Sequence, residues 1–392
     1  MILALRLISL MLGNRRKLRK IRRLLSRKLN PAKILIVRND GLGDFILTLP
    51  MVSAIKHEYP HAKIFVLARK SIHGLSPLLP EIDGWIIDSG CLLKRDIKGK
   101  NALQIKVEQE TMLRELAAYR FDLAIFAYAE KQSAKLIEKS GIPLRVGPLR
   151  RSYFSRFNLW YNIPRKQSKR AEYQLNLQIL HTLHLKTQQR IPQINQIPYS
   201  IEIPERTIML HPYKRSGTAL VWPVKNFQQL AKYFINQKFN IIVIGDHADY
   251  PYLQEHFSFS PKIAILSQLS FVQLAGLMRQ CVHFFGNSSG PLHLAALLGL
   301  PHTGFFPQNN TASATRWRTL PVLTQISTRD HLLMTRFNIH CVQCILKKCE
   351  YYPCTEHITF DAAIKSFEKF QLAIPQKRVS KNKRSRSKRI LK

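Results

Sequence analysis

From Lys33 onward the chain alternates short apolar runs with amphipathic stretches, and this alternation restricts the possible folds more than any other feature. KILIV (residues 33–37) leads into a helical-period DFILTLPMVSAIKHEY, interrupted at Pro50. AKIFVLA and GWIID follow, then a helical LQIKVEQETMLRELAAY, the run FDLAIFAYA and a helical KQSAKLIEKSG. After a basic interval the scheme restarts: TIMLHP, a helical NFQQLAKYFINQ, FNIIVIGD, a helical FVQLAGLMRQC, VHFFGN, a helical PLHLAALLG and HTGFFP. Runs that are apolar at successive positions suit strands buried on both faces, as in a parallel sheet covered by helices. Two consecutive doubly wound α/β domains are expected, each opening a ligand crevice at the carboxyl ends of its strands. The 392 residues suffice for two separate cores. The Pro- and Gln-rich stretch QQRIPQINQIPYSIEIPER (188–206) reads as a linker. The expected division is a basic segment over 1–32, domains over 33–185 and 186–374, and a basic tail over 375–392.

Charge is the second constraint. Hydrophobic residues make up 45% and charged residues 22%, an ordinary globular balance, yet the formal net charge is +37. Residues 1–33 hold no Asp or Glu, and the tail PQKRVSKNKRSRSKRILK is equally one-sided. Such blocks are solvated or bind polyanions. A third basic stretch, with aromatics interleaved, runs from Arg145 to Arg170. MILALRLISLMLG is too short to span a bilayer, is broken by Arg6, and lacks the layout of a signal peptide. An apolar start followed by dense Arg and Lys suits a helix lying on an anionic membrane surface, where each basic side chain contributes about 1 kcal/mol. Nucleic acid is the competing polyanion, but no helix-turn-helix, zinc-finger or RNA-binding signature supports it.

Two loops carry the chemistry. In VRNDGLGDFILTLP (37–50) a buried run feeds through Arg38, Asn39 and Asp40 into a Gly-flanked Asp44 at the mouth of a helix. Gly41 and Gly43 are expected to let the backbone turn tightly and a ligand come close. Asp40 reads as a turn-stabilising residue that Arg38 can pair with; the structural reading of Asp44 is a helix N-cap, which does not exclude catalysis. In FFGNSSGPLHLAALLGLP (284–301), a strand end, a small polar turn and Pro291 introduce a helix. Such a turn aims N–H groups outward, and the helix adds about half a positive charge at its N-terminus, which makes an anion site suited to a diphosphate. His293 lies in the first turn.

Taken together, KILIVRNDGLGDFILTLP, KRAEYQLN, HPYKRSGTALVWP, GNSSGPLHLAALLGLP and TRWRTL resemble glycosyltransferase family 9, which includes the ADP-heptose:lipopolysaccharide heptosyltransferases. The resemblance extends over roughly residues 33–372. It implies a GT-B architecture: two Rossmann-like domains facing across a cleft, the first binding the acceptor and the second the nucleotide-sugar donor. It implies Asp44 as the base that takes the acceptor proton, a contribution of about 10²–10⁴ in rate, with Asp40 as the rival base and with Gly41, Gly43 and Arg38 on the acceptor side. On the donor side it implies Asn287, Ser288, Ser289, Gly290, Leu292 and His293. Leu220 stands where the family has a lysine, so Lys214 and Arg215 are expected to supply the positive charge, with Ser216 and Thr218 donating to the phosphates. Asp246 and Asp249 follow a strand where a carboxylate can hold ribose hydroxyls, although solvated loop acids are an equal reading. Glu172 and Asn176 match a pattern near the interdomain crossing; Arg316 and Trp317 read as packing residues. The implied acceptor is a phosphorylated glycolipid, which would put the protein in the cytoplasm, peripheral on the inner face of the inner membrane of a Gram-negative cell.

No metal or other cofactor is expected for transfer, because positive side chains and a helix N-terminus can neutralise the leaving diphosphate. Cys341, Cys344, Cys349 and Cys354 stand close enough for a structural zinc, with a set of plain thiols as the equal alternative. A nucleotide-dependent oxidoreductase fits poorly: GLGD lacks the third glycine of a dinucleotide fingerprint and its later acidic partner.

Overall fold

KILIV forms strand β1 (Lys33–Val37), buried in all but its first residue. It has parallel neighbours on both sides. Its side chains alternate between two cores: Ile34 and Ile36 join one apolar cluster, Leu35 and Val37 another. Both faces are therefore covered, which is why the four buried positions, Ile34 to Val37, are all apolar. The computed structural model describes residues 30–165, 168–185, 188, 190–198, 201–213, 220–309, 311–322, 332–334 and 348–373.

In the first half β1 leads to helices α1 (Leu42–Ile46) and α2 (Leu49–Glu58), β2 (Lys63–Arg69) and β3 (Gly84–Asp88). Then come α3 (Ala102–Tyr119), β4 (Leu123–Phe126), α4 (Lys131–Lys139), β5 (Leu144–Pro148), β6 (Leu159–Tyr161) and α5 (Glu172–Ile179). The second half holds β7 (Thr207–His211), α6 (Val224–Asn236), β8 (Asn240–Gly245), α7 (Tyr250–Phe257), β9 (Ile263–Ser267), α8 (Phe271–Met278) and β10 (His283–Asn287). It ends with α9 (Gly290–Leu297), β11 (His302–Phe306), α10 (Ala314–Trp317), β12 (Leu332–Met334) and α11 (Phe360–Ala373). The sheets run β3-β2-β1-β4-β5-β6 and β12-β11-β10-β7-β8-β9, with every pairing parallel. Read from β9, the second sheet repeats the order of the first. In each, the winding reverses beside the first strand, which opens a crevice at the carboxyl ends of β1 and β7.

The expected alternation is present, with instructive differences. The interruption expected at Pro50 falls just before it and divides the stretch into two helices, with Pro50 in the first turn of α2. The break falls at Leu47 and Thr48, where the Asn176 amide donates to the Leu47 carbonyl at 3.0 Å and to Thr48 Oγ1 at 3.3 Å. Strands β5 and β6 lie inside the basic stretch, where the apolar runs are short. Three of its six arginines are consumed internally. Arg145 donates to the carbonyls of Arg156 (2.8 Å) and Ile142 (2.6 Å), Arg156 pairs with Glu138, and Arg165 with Glu172. This lowers the charge that the stretch offers to an outside polyanion, although Arg150, Arg151 and Arg170 stay exposed.

The stretch 188–206 has no helix or strand among its described residues. It straps the halves together: the Asn195 N–H and amide donate to the carbonyls of Leu78 (3.1 Å) and Pro77 (3.0 Å), and Gln280 donates to the Ile201 carbonyl at 2.6 Å. The basic segments 1–29 and 374–392 lie outside the described residues. No helix among the described residues is long and apolar enough to cross a membrane.

The core of the second half is aromatic. Phe234 is fully buried, with ring centroids of Phe239, Phe285 and Phe367 at 5.5, 5.5 and 4.9 Å. Phe234→Ala is expected to destabilise this half by about 3–5 kcal/mol, seen in urea titration as an earlier transition.

Candidate functional site: a cleft between two helix tips

The site is organised by a buried cation. Arg38, the residue after β1, has a side chain only 3% exposed. Its Nε donates to Asp40 Oδ1 at 2.8 Å, one terminal nitrogen to Asp44 Oδ1 at 2.5 Å, and the other lies 3.4 Å from Glu172 Oε1. Burial works against the guanidinium charge, but Asp40, Asp44 and Glu172 outweigh it and raise its pKa above the ordinary value. Arg38 was expected to pair with Asp40; the structure adds Asp44 and Glu172. Burial, followed by the nearby Asp40 charge, pushes the Asp44 carboxyl up to about 7, against the opposing pull of Arg38. A side chain 27% exposed leaves Asp44 reachable, whereas the Asp40 side chain is 11% exposed. The Asp40 carbonyl also accepts from Arg69 (3.3 Å) and Arg95 (2.7 Å). Asp44 is therefore the better-placed base of the two.

Two expectations for this loop need correction. Asp44 is not a helix N-cap: α1 starts at Leu42 with Gly41 as its cap, and Asp44 stands inside the first turn. Nor do Gly41 and Gly43 serve a tight turn, since neither has a positive φ. Gly43 is required for close approach, because a Cβ there would lie 2.7 Å from the His293 ring in the other half. A Cβ on Gly290 would likewise fall 2.6 Å from Leu42. The tips of α1 and α9 thus pack against each other, and the two loops singled out in the sequence, far apart along the chain, meet.

Beside this contact opens a cleft of about 940 Å³, lined by Asp40, Gly41, Gly43 and Asp44 from one side and Ser288, Ser289, Gly290 and His293 from the other. Ser289 is the N-cap of α9, but its hydroxyl makes no capping bond and instead lies 3.0 Å from His211 Nδ1. The first N–H groups of α9 are thus without a side-chain cap, as an anion site needs. Asn287 and Leu292 do not line the cleft. Asn287 is fully buried: its Oδ1 accepts from the Trp222 N–H (2.7 Å) and its Nδ2 donates to the Pro212 carbonyl (2.8 Å). It ties Pro212 and Trp222 to the end of β10, with its side chain turned away from the crevice. Leu292 is a core residue, close behind Gly304.

Lys214, Arg215, Ser216 and Thr218 lie outside the described residues, as do Cys341 and Cys344. Leu220 is half-buried and not part of the cleft lining; Cys349 and Cys354 are partly exposed. Asp246 and Asp249 both line the cleft after β8, but Asp249 is buried and its Oδ2 accepts from the Asp246 N–H at 3.1 Å, leaving Asp246 as the exposed carboxylate. Trp317 lines the cleft. Arg316 is more than a packing residue: its Nε reaches Glu172 Oε2 at 2.9 Å across the two halves. Asn176 also lies 3.1 Å from an Arg165 nitrogen and 3.4 Å from Arg38. Sequence reading missed Arg69 and Arg95, which line the cleft near Asp40. Arg69 closes β2 at its carboxyl end, a position that could have signalled it; Arg95 sits in a single helical turn, Lys94–Ile97, with no such marker.

Comparison with known proteins agrees with this geometry. The profile of glycosyltransferase family 9 (heptosyltransferase) matches residues 110–343, more than half the chain, starting after the Asp44 loop. A provisionally named glycosyltransferase of Haemophilus influenzae is 24% identical over 310 residues, covering 73% of this chain and 85% of that protein. The crystal structure of a family 9 glycosyltransferase from Veillonella parvula superposes with a TM-score of 0.71 at 19% identity, covering 87% of this chain and 97% of that one. E. coli ADP-heptose lipopolysaccharide heptosyltransferase II gives 0.65 at 17% identity, and E. coli heptosyltransferase WaaC with ADP gives 0.67 at 14%; each covers 86% of this chain and 99% of its own. With two facing doubly wound domains and this match, the chain belongs to glycosyltransferase family 9 and is a glycosyltransferase of the GT-B architecture.

Proposed function

We propose that the protein is an inverting heptosyltransferase that moves a heptose from ADP-heptose onto a phosphorylated glycolipid of the lipopolysaccharide core. The observation that carries this reading is the Asp44 carboxylate facing the uncapped tip of α9 across one cleft. Asp44 takes the proton of the acceptor hydroxyl as that oxygen bonds to the anomeric carbon. The bond from that carbon to the diphosphate breaks on the opposite face, which inverts the configuration. The charge released on the diphosphate meets the α9 N–H groups, Ser288 and Ser289, and Lys214, Arg215, Ser216 and Thr218 are the further donors that the family resemblance implies. Asp246 holds ribose hydroxyls at the end of β8. Arg69 and Arg95, near Asp40, meet acidic groups of the acceptor. No metal takes part; a zinc on Cys341, Cys344, Cys349 and Cys354 would be structural.

The reading is supported by the names of the structural relatives, two of which are E. coli heptosyltransferases, one bound to ADP. The basic segments 1–32 and 375–392 suit a peripheral position on the anionic inner face of the inner membrane, where the acceptor lipid resides.

The pH dependence has a definite sign. Asp44 works as a base only when ionised, and its carboxyl is raised to about 7. Transfer is therefore expected to fall as pH drops through about 7. Asp44→Asn is expected to lower kcat/KM by about 10²–10⁴, measured as ADP released from ADP-heptose with lipid acceptor. A folded pKa above the unfolded value means that ionising Asp44 costs stability as pH rises from the ordinary carboxylate range to about 7. The Asn variant should therefore stay folded at neutral pH, and unchanged turnover in it would remove Asp44 from the role of base. A thermal-shift screen of ADP, UDP, GDP and CMP sugars should give the largest stabilisation with ADP-heptose.

For the membrane reading, the full chain is expected to co-sediment with anionic but not neutral vesicles, and less so after deletion of residues 1–32. Equal binding to both vesicle types would refute it.

A further inference from the structure

Glu172 lies outside the cleft lining yet gathers more cationic partners than the proposed base does. Its side chain is 2% exposed. Oε1 accepts from Arg165 and lies 3.4 Å from Arg38; Oε2 accepts from Arg316 through Nε at 2.9 Å and a terminal nitrogen at 2.8 Å. Arg316 also donates to the Arg165 carbonyl at 2.6 Å. Burial opposes the Glu172 charge, but Arg165, Arg38 and Arg316 outweigh it and hold its pKa below the ordinary value. Two of these arginines belong to the first half. Arg316 comes from the second, on α10, and the neighbouring Thr311, Ala312 and Trp317 line the cleft.

Charge counting gives the pair a purpose. With the halves docked, the guanidinium groups of Arg38, Arg165 and Arg316 balance the carboxylates of Asp40, Asp44 and Glu172. Without Arg316 the cluster carries a surplus negative charge, and Glu172 Oε2 is released to compete for Arg38. Arg38 now sits at 2.5 Å from Asp44 but 3.4 Å from Glu172, the arrangement expected when Glu172 is already satisfied by the other two arginines. We propose that Arg316 and Glu172 are positioning residues, a latch that ties the grip of Arg38 on Asp44 to the docking of the donor half. The donor wall and the latch share one short segment, so the same segment that walls the cleft also sets the base. The latch deepens the transfer reading for its purpose but not for its geometry.

The groups facing Asp44 are Arg38, Asp40 and Glu172 from its own half and His293 of α9 from the other. Titration of the Asp44 carboxyl by ¹³C NMR in the full chain tests the latch, the resonance being assigned by its loss in Asp44→Asn. Arg316→Gln is expected to raise the Asp44 midpoint by roughly one pH unit, and Glu172→Gln to lower it. Arg316→Lys should restore most of the wild-type value. A purely structural role would move both Gln variants the same way or neither, and an unmoved midpoint in Arg316→Gln overturns the proposal. In kinetics, the acid limb of kcat/KM should shift in the same opposed directions, with kcat falling more than the donor KM rises in Arg316→Gln. The titration needs no substrate. A wild-type protein that transfers no sugar would therefore defeat the heptosyltransferase reading while the NMR result still decides the latch.

Discussion

A guanidinium buried at the end of the first strand has to be surrounded by anions. Desolvating Arg38 costs several kcal/mol unless carboxylates and carbonyls take its N–H groups, and Asp40, Asp44, Glu172 and the Ala127 carbonyl (3.2 Å) meet that demand. These come from three places in the fold: the segment after β1, the end of β4 and the start of α5. Satisfying the one cation therefore holds α1, the end of β4 and the start of α5 in register with β1. The same requirement puts a carboxylate beside the cleft whose ionisation falls near neutrality, since burial and Asp40 raise it while Arg38 restrains it.

The second organising constraint is close approach. Two doubly wound sheets of the same strand order leave crevices at the carboxyl ends of β1 and β7. Facing those crevices toward each other brings α1 and α9 tip to tip, and Gly43 against His293 and Gly290 against Leu42 leave no room for a Cβ. The glycines are there for the partner half rather than for their own turns. The helix tip that receives the diphosphate in the proposed reaction is kept uncapped because Ser289 bonds to His211, another strand end of the same crevice.

Much of this was visible in the chain itself, and the misses have physical causes. Uninterrupted apolar runs located β1, β2, β7, β8, β10 and β11, and the Gly-flanked acid and the Ser-Ser-Gly-Pro turn marked the two loops that meet. Strands β5 and β6 escaped because arginines interrupt their surroundings, and those arginines are tied to backbone carbonyls that only the fold supplies. Asn287 and Leu292 belong to the right loop but face the wrong way. Position in a motif does not say which side of a strand end or helix turn a side chain occupies once its neighbours are packed.

The sequence by itself determined the periods, and with them the parallel sheets, the covering helices and the two domains, because these follow from contacts a few residues apart. Tertiary structure alone decided which carboxylate stays reachable, that Gly43 makes room for His293, and that Arg316 closes on Glu172. These pairings join residues more than a hundred positions apart, and burial sets their energies. No local pattern records either the distance across a cleft or the water removed from it.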